Sequence, residues 1–407
     1  MEVIHARCAG LDVHKDTVVA CARLSGGRSV ERHVETFGTS MRELFRLLEW
    51  LREHAVTHAA MEATGVYWKP VWHVLSEEMD LLLANAREIR NIPGRKSDVN
   101  DATWIADLFA HGLIRASFVP PEPIRELRDL TRTRKQIIQE RSQHVQRIQK
   151  VLEDANVKLA SVVTDILGKS GRAMLEAMVQ GQRDARQLAK LADGRLKATS
   201  AQIEDALQGR IRDHHRFMLR LHLRQIDALD GSVAMLDARV EELLLPFAEV
   251  VRRLKTIPGV RDVVASVLLA EIGTDMSQFR TAGHLVSWAC LSPRLDESAG
   301  KRRSTRTRKG QWLKAVLVQA AWAAVRQKDT YLHAQFHRIR SRRGAKKAIV
   351  AVAASILTAA YHMIRNEADY NDLGSDFFAH RDRSSQAYRL VERLQKMGYV
   401  VNLEAAA

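Results

Sequence analysis

The chain has 407 residues, 46% of them apolar, and a formal charge of +15. That length supports two or three domains with cores of their own, and the apolar fraction is ordinary for a soluble globular protein. Three cysteines (Cys8, Cys21, Cys290) with no CxxC pair and no Cys/His cluster exclude a disulfide scaffold and a structural zinc site, and fit a reducing cytoplasm.

The first 120 residues alternate strands and helices. Val3–Val13, Thr17–Leu24 and Ser29–Thr36 read as three consecutive strands, with turns at His14-Lys15-Asp16 and Ser25-Gly26-Gly27-Arg28. Ser40–His54 has helical spacing, Val56–Met61 is a fourth strand, Gly65–Glu78 a helix with an early Pro70, and Leu81–Ala84 a short fifth strand. Ser97 is placed to cap a helix over Asp98–His111. The order βββ-α-β-α-β-α matches an α/β RNase H-like fold, a mixed sheet with helices on both faces. Scattered charges over residues 1–30 argue against a signal peptide.

Pro120-Pro121-Glu122-Pro123 marks a boundary. From Ile124 to about Leu245 nearly every residue is a helix former, with apolar residues at helical spacing, which predicts long antiparallel helices or a coiled-coil connector. A third, mostly α region starts near Val250. There Leu254-Lys255-Thr256-Ile257-Pro258-Gly259-Val260 runs into a helix over Asp262–Ile272. Two readings stand for this corner: a helix-hairpin-helix-like phosphate-binding turn, or a plain helical pair in a core. Helices are expected at Trp312–Arg326 and Ala345–Ile364, the second buried rather than membrane-spanning, because Ser355, Thr358, Tyr361 and His362 interrupt it. Residues from about Asn371 read as a tail. The resulting division is 1–120, 121–250, 251–370 and 371–407.

Charge is unevenly distributed. Residues 1–120 carry 14 Lys and Arg against 16 Asp and Glu, a net of −2, whereas residues 290–350 carry 16 against 3, a net of +13. So dense a basic stretch is the usual footprint of nucleic-acid binding.

Four carboxylates stand out in the acidic part. Asp12 lies in the apolar run Ala9-Gly10-Leu11-Asp12-Val13, and Glu62 ends His58-Ala59-Ala60-Met61-Glu62. An acid in such a run is costly to bury without compensation. Asp98 and Asp101, three residues apart, are expected on one helical face. Converging carboxylates repel and need a cation, and oxygen-only ligands favour a hard ion such as Mg2+. Two such ions can clamp the attacking and leaving oxygens of a phosphodiester. In the basic part, the loop from Asp296 to Gly310 carries Ser298 followed by Ala299-Gly300, which leaves room for a close approach to DNA. Lys301, Arg302, Arg303, Arg306, Arg308 and Lys309 supply phosphate-binding charge, and Ser304 competes with Ser298 as a nucleophile.

At these residues the chain resembles a known family. The motifs are Gly10-Leu11-Asp12-Val13-His14-Lys15, Met61-Glu62-Ala63-Thr64-Gly65-Val66-Tyr67, and Lys96-Ser97-Asp98-Val99-Asn100-Asp101-Ala102. Ile257-Pro258-Gly259, Leu285-Val286-Ser287-Trp288, Leu291-Ser292-Pro293, Ser298-Ala299-Gly300-Lys301 and Arg308-Lys309-Gly310 follow in the family order. Together they resemble the DEDD transposases of insertion sequences, the bridge-RNA-guided recombinases, over residues 1–370. Arg261 and Gln311-Trp312 depart from the pattern.

The resemblance implies a RuvC-like N-terminal domain, a coiled-coil connector and a C-terminal transposase domain. It implies that Asp12, Glu62, Asp98 and Asp101 hold Mg2+, replaceable by Mn2+, and that Ser298 is the nucleophile. It further implies donor and target DNA and a structured noncoding guide RNA as partners. The expected assembly is a homodimer or a dimer of dimers, with the acids and the serine brought together across domains or subunits. The expected location is the prokaryotic cytoplasm, at the nucleoid and away from membranes. Two alternatives use the same residues differently: a RuvC-like, Mg2+-dependent junction endonuclease with water as nucleophile, and a nucleic-acid-binding scaffold with a decayed site.

Overall fold

The computed structural model describes residues 2–26, 29–63, 65–86, 89, 92, 100–194, 196–293, 297, 298, 301, 302, 307, 308, 310 and 312–402, with backbone alone for 297, 298, 301, 302, 379–386 and 389. The chain divides into two compact units, Met1–Val119 and Pro120–Ala407.

The first unit is built on a five-stranded mixed sheet of order β3-β2-β1-β4-β5. Strands β1 (Arg7–Val13), β2 (Thr17–Gly26) and β3 (Ser29–Gly38) form an antiparallel meander. After helix α1 (Met41–Glu53), β4 (His58–Glu62) pairs parallel to β1. Helix α2 (Trp68–Leu75) then returns the chain to β5 (Asp80–Ala84), parallel to β4. Period-two alternation assigns the faces. Leu11, Val13, Ala59 and Met61 pack with Leu44, Leu47 and Leu51 of α1 and Leu75 of α2. Cys8 and Ala60 point the other way, into a cluster with Ile105, Leu108 and Phe109 of α3 (Asp101–Ala110). Arg23, 3% exposed, is anchored there by Asp107, with Nε 2.9 Å from Oδ1.

Three elements of this unit depart from their expected bounds by three residues or more. The first strand starts at Arg7 rather than Val3, because the preceding segment bonds instead to the end of α3, with the Ile4 N–H donating to the Ala110 carbonyl. The second helix is shorter than Gly65–Glu78, Gly65 being in a left-handed conformation at φ 54°. Helix α3 begins at Asp101, capped by Asn100, whose side chain accepts from the Ala102 N–H at 2.9 Å. Ser97, the expected cap, and Asp98 lie outside the described residues.

The second unit is helical. Helix α4 (Glu122–Asp154) lies antiparallel to α9 (Asp213–Leu244), and the two are laced by Arg134–Asp237, Arg141–Asp230 and His215–Asp154 pairs. The two are not one uninterrupted hairpin. Residues 155–212 fold into four short helices, α5 (Leu159–Val162), α6 (Lys169–Val179), α7 (Ala185–Ala189) and α8 (Ser200–Leu207), around Met174, Leu175, Leu188 and Ile203. Beyond the pair come α10 (Ala248–Leu254), α11 (Asp262–Ile272) and α12 (Ala282–Trp288). A two-residue ribbon follows, β6 (Glu297–Ser298) and β7 (Lys301–Arg302). Then come α13 (Leu313–Ala324), α14 (Tyr331–Arg343), α15 (Ala345–Asn366) and α16 (Phe377–Lys396).

Helix α15 is long and apolar enough to cross a membrane by length and composition. Its Ile349, Val352, Ile356 and Tyr361 are buried in this unit, and the Tyr361 hydroxyl donates to the Phe279 carbonyl at 3.0 Å. Helix α16 replaces the expected tail, and its Phe377 and Phe378 rings pack on Tyr331.

Candidate active site

Strands β1, β4 and β5 are parallel, so their carboxyl ends reach the same edge of the sheet. Asp12 and Glu62 each lie one position beyond the last pair of the β1–β4 ladder, Leu11↔Met61. They share the face of Gly10 and Ala60, which is the face covered by α3. Neighbouring strands are about 4.8 Å apart, so the two backbone positions are adjacent at this edge.

Gly10 lets the helix sit this low. A Cβ at Gly10 would lie 2.1 Å from the Ala102 carbonyl oxygen and 2.4 Å from the Ala106 nitrogen. The helix runs antiparallel to β1: Ala110 lies by Ile4, Ala106 by Cys8, and Ala102 by Gly10. Its amino terminus, with Asp101 in the first turn, therefore points toward the end of β1 that carries Asp12. The positive end of the helix dipole favours acids there.

Asp12 is one-fifth exposed, and its Oδ2 lies 3.1 Å from His14 Nε2. Sequence reasoning left His14 to a turn role. The i, i+2 spacing across a strand end was the available signal, because it returns a side chain to the same face. Asp12 and Glu62 thus end neighbouring strands on the face covered by α3, and Asp101 opens that helix. Among the described residues no three His, Cys, Asp or Glu side chains converge closely enough to hold a metal ion. Asp98 lies outside those residues.

In the second unit Ser298 sits in β6, paired in register with Lys301 of β7, and Arg302 pairs with Glu297. The ribbon is closed at its base by a Pro293–Thr307 bridge. Arg308 is exposed, whereas Arg303, Ser304, Arg306 and Lys309 lie outside the described residues. Lys314, missed in the sequence, braces the returning strand: its Nζ donates to Thr307 Oγ1 at 2.6 Å and to the Arg308 carbonyl at 2.7 Å. Burial pulls this ammonium below the ordinary lysine value. A lysine one turn after Gly310, in an otherwise Ala-rich helix, was the available signal.

At the corner before α11, Gly259 has φ 81°, and a Cβ there would lie 2.2 Å from the Ala320 carbonyl oxygen of α13. Packing against α13 therefore accounts for this glycine.

Two family models match the chain. One describes DEDD transposases of the IS110 type and covers residues 9–157. The other describes transposases of the IS116/IS110/IS902 family and covers residues 251–338. Together they span more than half of the sequence.

The chain belongs to the IS110-family DEDD transposases.

It is accordingly a transposase of insertion sequences, an enzyme whose substrate is DNA. The first match contains Asp12, Glu62, Asp98 and Asp101 of the transposase, and the second contains Ser298 and the cations from Lys301 to Lys309. No curated protein matches the chain.

Proposed function

We propose that this transposase cuts and rejoins DNA through a covalent ester between Ser298 and a strand phosphate, with Asp12, Glu62, Asp98 and Asp101 holding Mg2+. The observation that carries the reading is the placement of Asp12 and Glu62 at the ends of neighbouring parallel strands, on the sheet face covered by α3. The strand order β3-β2-β1-β4-β5 supports assigning the first unit to the RNase H-like, RuvC-like class. The acids offer oxygen donors alone, which fits a hard divalent cation. When bound, Mg2+ supplies Lewis-acid polarisation and charge neutralisation at the phosphate.

In this account the Ser298 hydroxyl loses its proton and its oxygen attacks phosphorus. The Ser–O–P bond forms as the bond to the strand's 3′ oxygen breaks, and that oxygen takes up a proton to leave a 3′-OH. The ester preserves the energy of the broken linkage, so a 3′-OH from another strand can displace Ser298 without ATP. His14 restrains the Asp12 carboxylate from one side. Lys301, Arg302, Arg303, Arg306, Arg308 and Lys309 are assigned to strand phosphates, which position the substrate without reading sequence. Site choice then falls to pairing with a structured guide RNA, held through the same type of contact.

The test is a denaturing gel of purified protein incubated with Mg2+, the guide RNA and labelled DNA. Wild type is expected to carry covalently attached DNA, and Ser298→Ala none. An adduct that persists in Ser298→Ala would refute the serine assignment. Free 5′-phosphate ends without any adduct would instead favour a water-using nuclease.

A further inference from the structure

Beside the Pro293–Thr307 bridge lies a cleft of about 780 Å3. Its floor is apolar, formed by Val286, Leu291, Pro293, Val350 and Ala351. Its rim is cationic, with Arg343 at the end of α14 and Lys346 and Lys347 in the first turn of α15, and among the described residues no acid lines it. All three rim cations are exposed, and among the described residues they make no ion pair. On the long helical pair and its neighbours, by contrast, several arginines are matched: Arg134 with Asp237, Arg141 with Asp230 and Arg172 with Asp227. Three unmatched cations within five residues repel one another and attract an anion.

The floor narrows the choice of anion. A duplex outer surface offers phosphates and sugars but no exposed base faces, so it cannot fill an apolar cleft. An unpaired nucleotide offers both parts, a base for the floor and a phosphate for the rim. The position narrows it further. Pro293 and Thr307 close the base of the ribbon that carries Ser298, five residues beyond Pro293. Five residues can reach at most about 17 Å, which is no more than about five nucleotide steps along a strand of duplex rise.

We infer that this cleft binds unpaired nucleotides of the DNA strand next to the phosphate attacked by Ser298. The phosphates lie on Arg343, Lys346 and Lys347, and a base lies on Val350 and Ala351. The cleft thereby separates a locally opened strand from intact duplex. This rests on the proposed role of Ser298 and adds the partner's form and the residues that select it.

The experiment is fluorescence anisotropy of the full chain with labelled single-stranded and duplex oligonucleotides over a salt series. Lys346→Gln with Lys347→Gln is expected to weaken single-strand binding about tenfold near 0.1 M salt. It should also reduce the slope of log K against log salt by about 1.4, or about 0.7 per lost contact. Ala351→Phe, which fills the floor and leaves charge unchanged, is expected to weaken single-strand binding about tenfold and duplex binding less than twofold. Lys328→Ala, an exposed cation away from the cleft, serves as the charge control. Equal losses on single strand and duplex, or wild-type single-strand affinity in the lysine pair, would overturn the inference. The lysine pair is exposed, so its result stands even where Ala351→Phe loses stability. Ser298→Ala should bind both oligonucleotides normally. Failure of the serine mechanism therefore shows in the covalent adduct alone, and failure of the cleft shows in binding alone.

Discussion

Gly10 and Ala102 are in direct backbone contact: a Cβ on Gly10 would lie 2.1 Å from the Ala102 carbonyl oxygen. That carbonyl belongs to the first turn of α3, so it cannot yield as a side-chain tip can. Gly10→Ala is expected to lift α3 from the sheet and to lower stability by roughly 1–3 kcal/mol or more. Chemical denaturation measures the loss, and strand-transfer activity should fall with it. A variant with unchanged stability would show that the helix does not rest on β1.

Glu271 is 2% exposed and accepts both Arg132 Nε and an Arg132 terminal nitrogen, at 2.8 and 2.9 Å. Arg128 donates to the Ala270 and Glu271 carbonyls, and burial pulls its guanidinium down to about 10. These contacts tie α4 to α11. Glu271→Ala leaves both cations without their counter-charge and is expected to destabilise the helical unit by about 3 kcal/mol, the low end for a buried pair because Arg132 is one-third exposed. Glu271→Gln, which keeps two hydrogen-bonding atoms, is expected to lose less by the same denaturation measurement.

His222 and His144 meet across the α4–α9 pair, Nδ1 to Nδ1 at 3.1 Å. Burial first, then His144 and Arg147, lower the His222 value below the ordinary 6.5 or so. The unfolded chain therefore binds more protons than the folded chain below that value, and stability rises with pH across the window. The contribution is present above about pH 6.5 and is lost as pH falls through the folded value. The melting temperature is expected to drop from pH 7 to pH 5, and His222→Phe should drop less over the same interval. Parallel curves would remove His222 from the pH response.

Cys8 and Cys21 are buried, whereas Cys290 is partly exposed. Burial pushes the Cys8 thiol up to about 11 and raises that of Cys21 as well. Alkylation of the folded protein at pH 8 is expected to label Cys290 and to leave the other two intact until denaturant is added. Peptide mass mapping reads the result, and early labelling of Cys8 would mean that the sheet–α3 layer opens locally.

The sheet was legible because its strands carry period-two apolar runs and its helices α1 and α2 carry period-3.6 runs, two signals that local sequence holds in full. The start of α3 was not, because Asn100 is by residue type as good a cap as any serine, and the helix's position on Gly10 is set by tertiary packing. The four helices over residues 155–212 escaped notice for a related reason. They span four to eleven residues each, too short for a periodicity to emerge, and are held by their shared core around Met174 and Leu188. Helix α14 was hidden by its arginines, and α16 by its polar and charged sequence, which leaves little apolar stripe to read. In the site, an acid inside an apolar strand flagged Asp12 and Glu62 as residues needing compensation. The i, i+2 spacing of His14 and Asp12 is readable in the sequence, but their contact also depends on the geometry of the turn after β1.

In the proposed mechanism, carboxylates at the ends of β1 and β4 activate the Ser298 hydroxyl. The most direct test of this step is the yield of covalent protein–DNA adduct in Mg2+ from Asp12→Asn beside wild type, with melting curves confirming that both are folded. The prediction is an Asp12→Asn protein of near-native stability whose adduct yield falls at least about a hundredfold. An Asp12→Asn protein that captures DNA on Ser298 at the wild-type rate would contradict it.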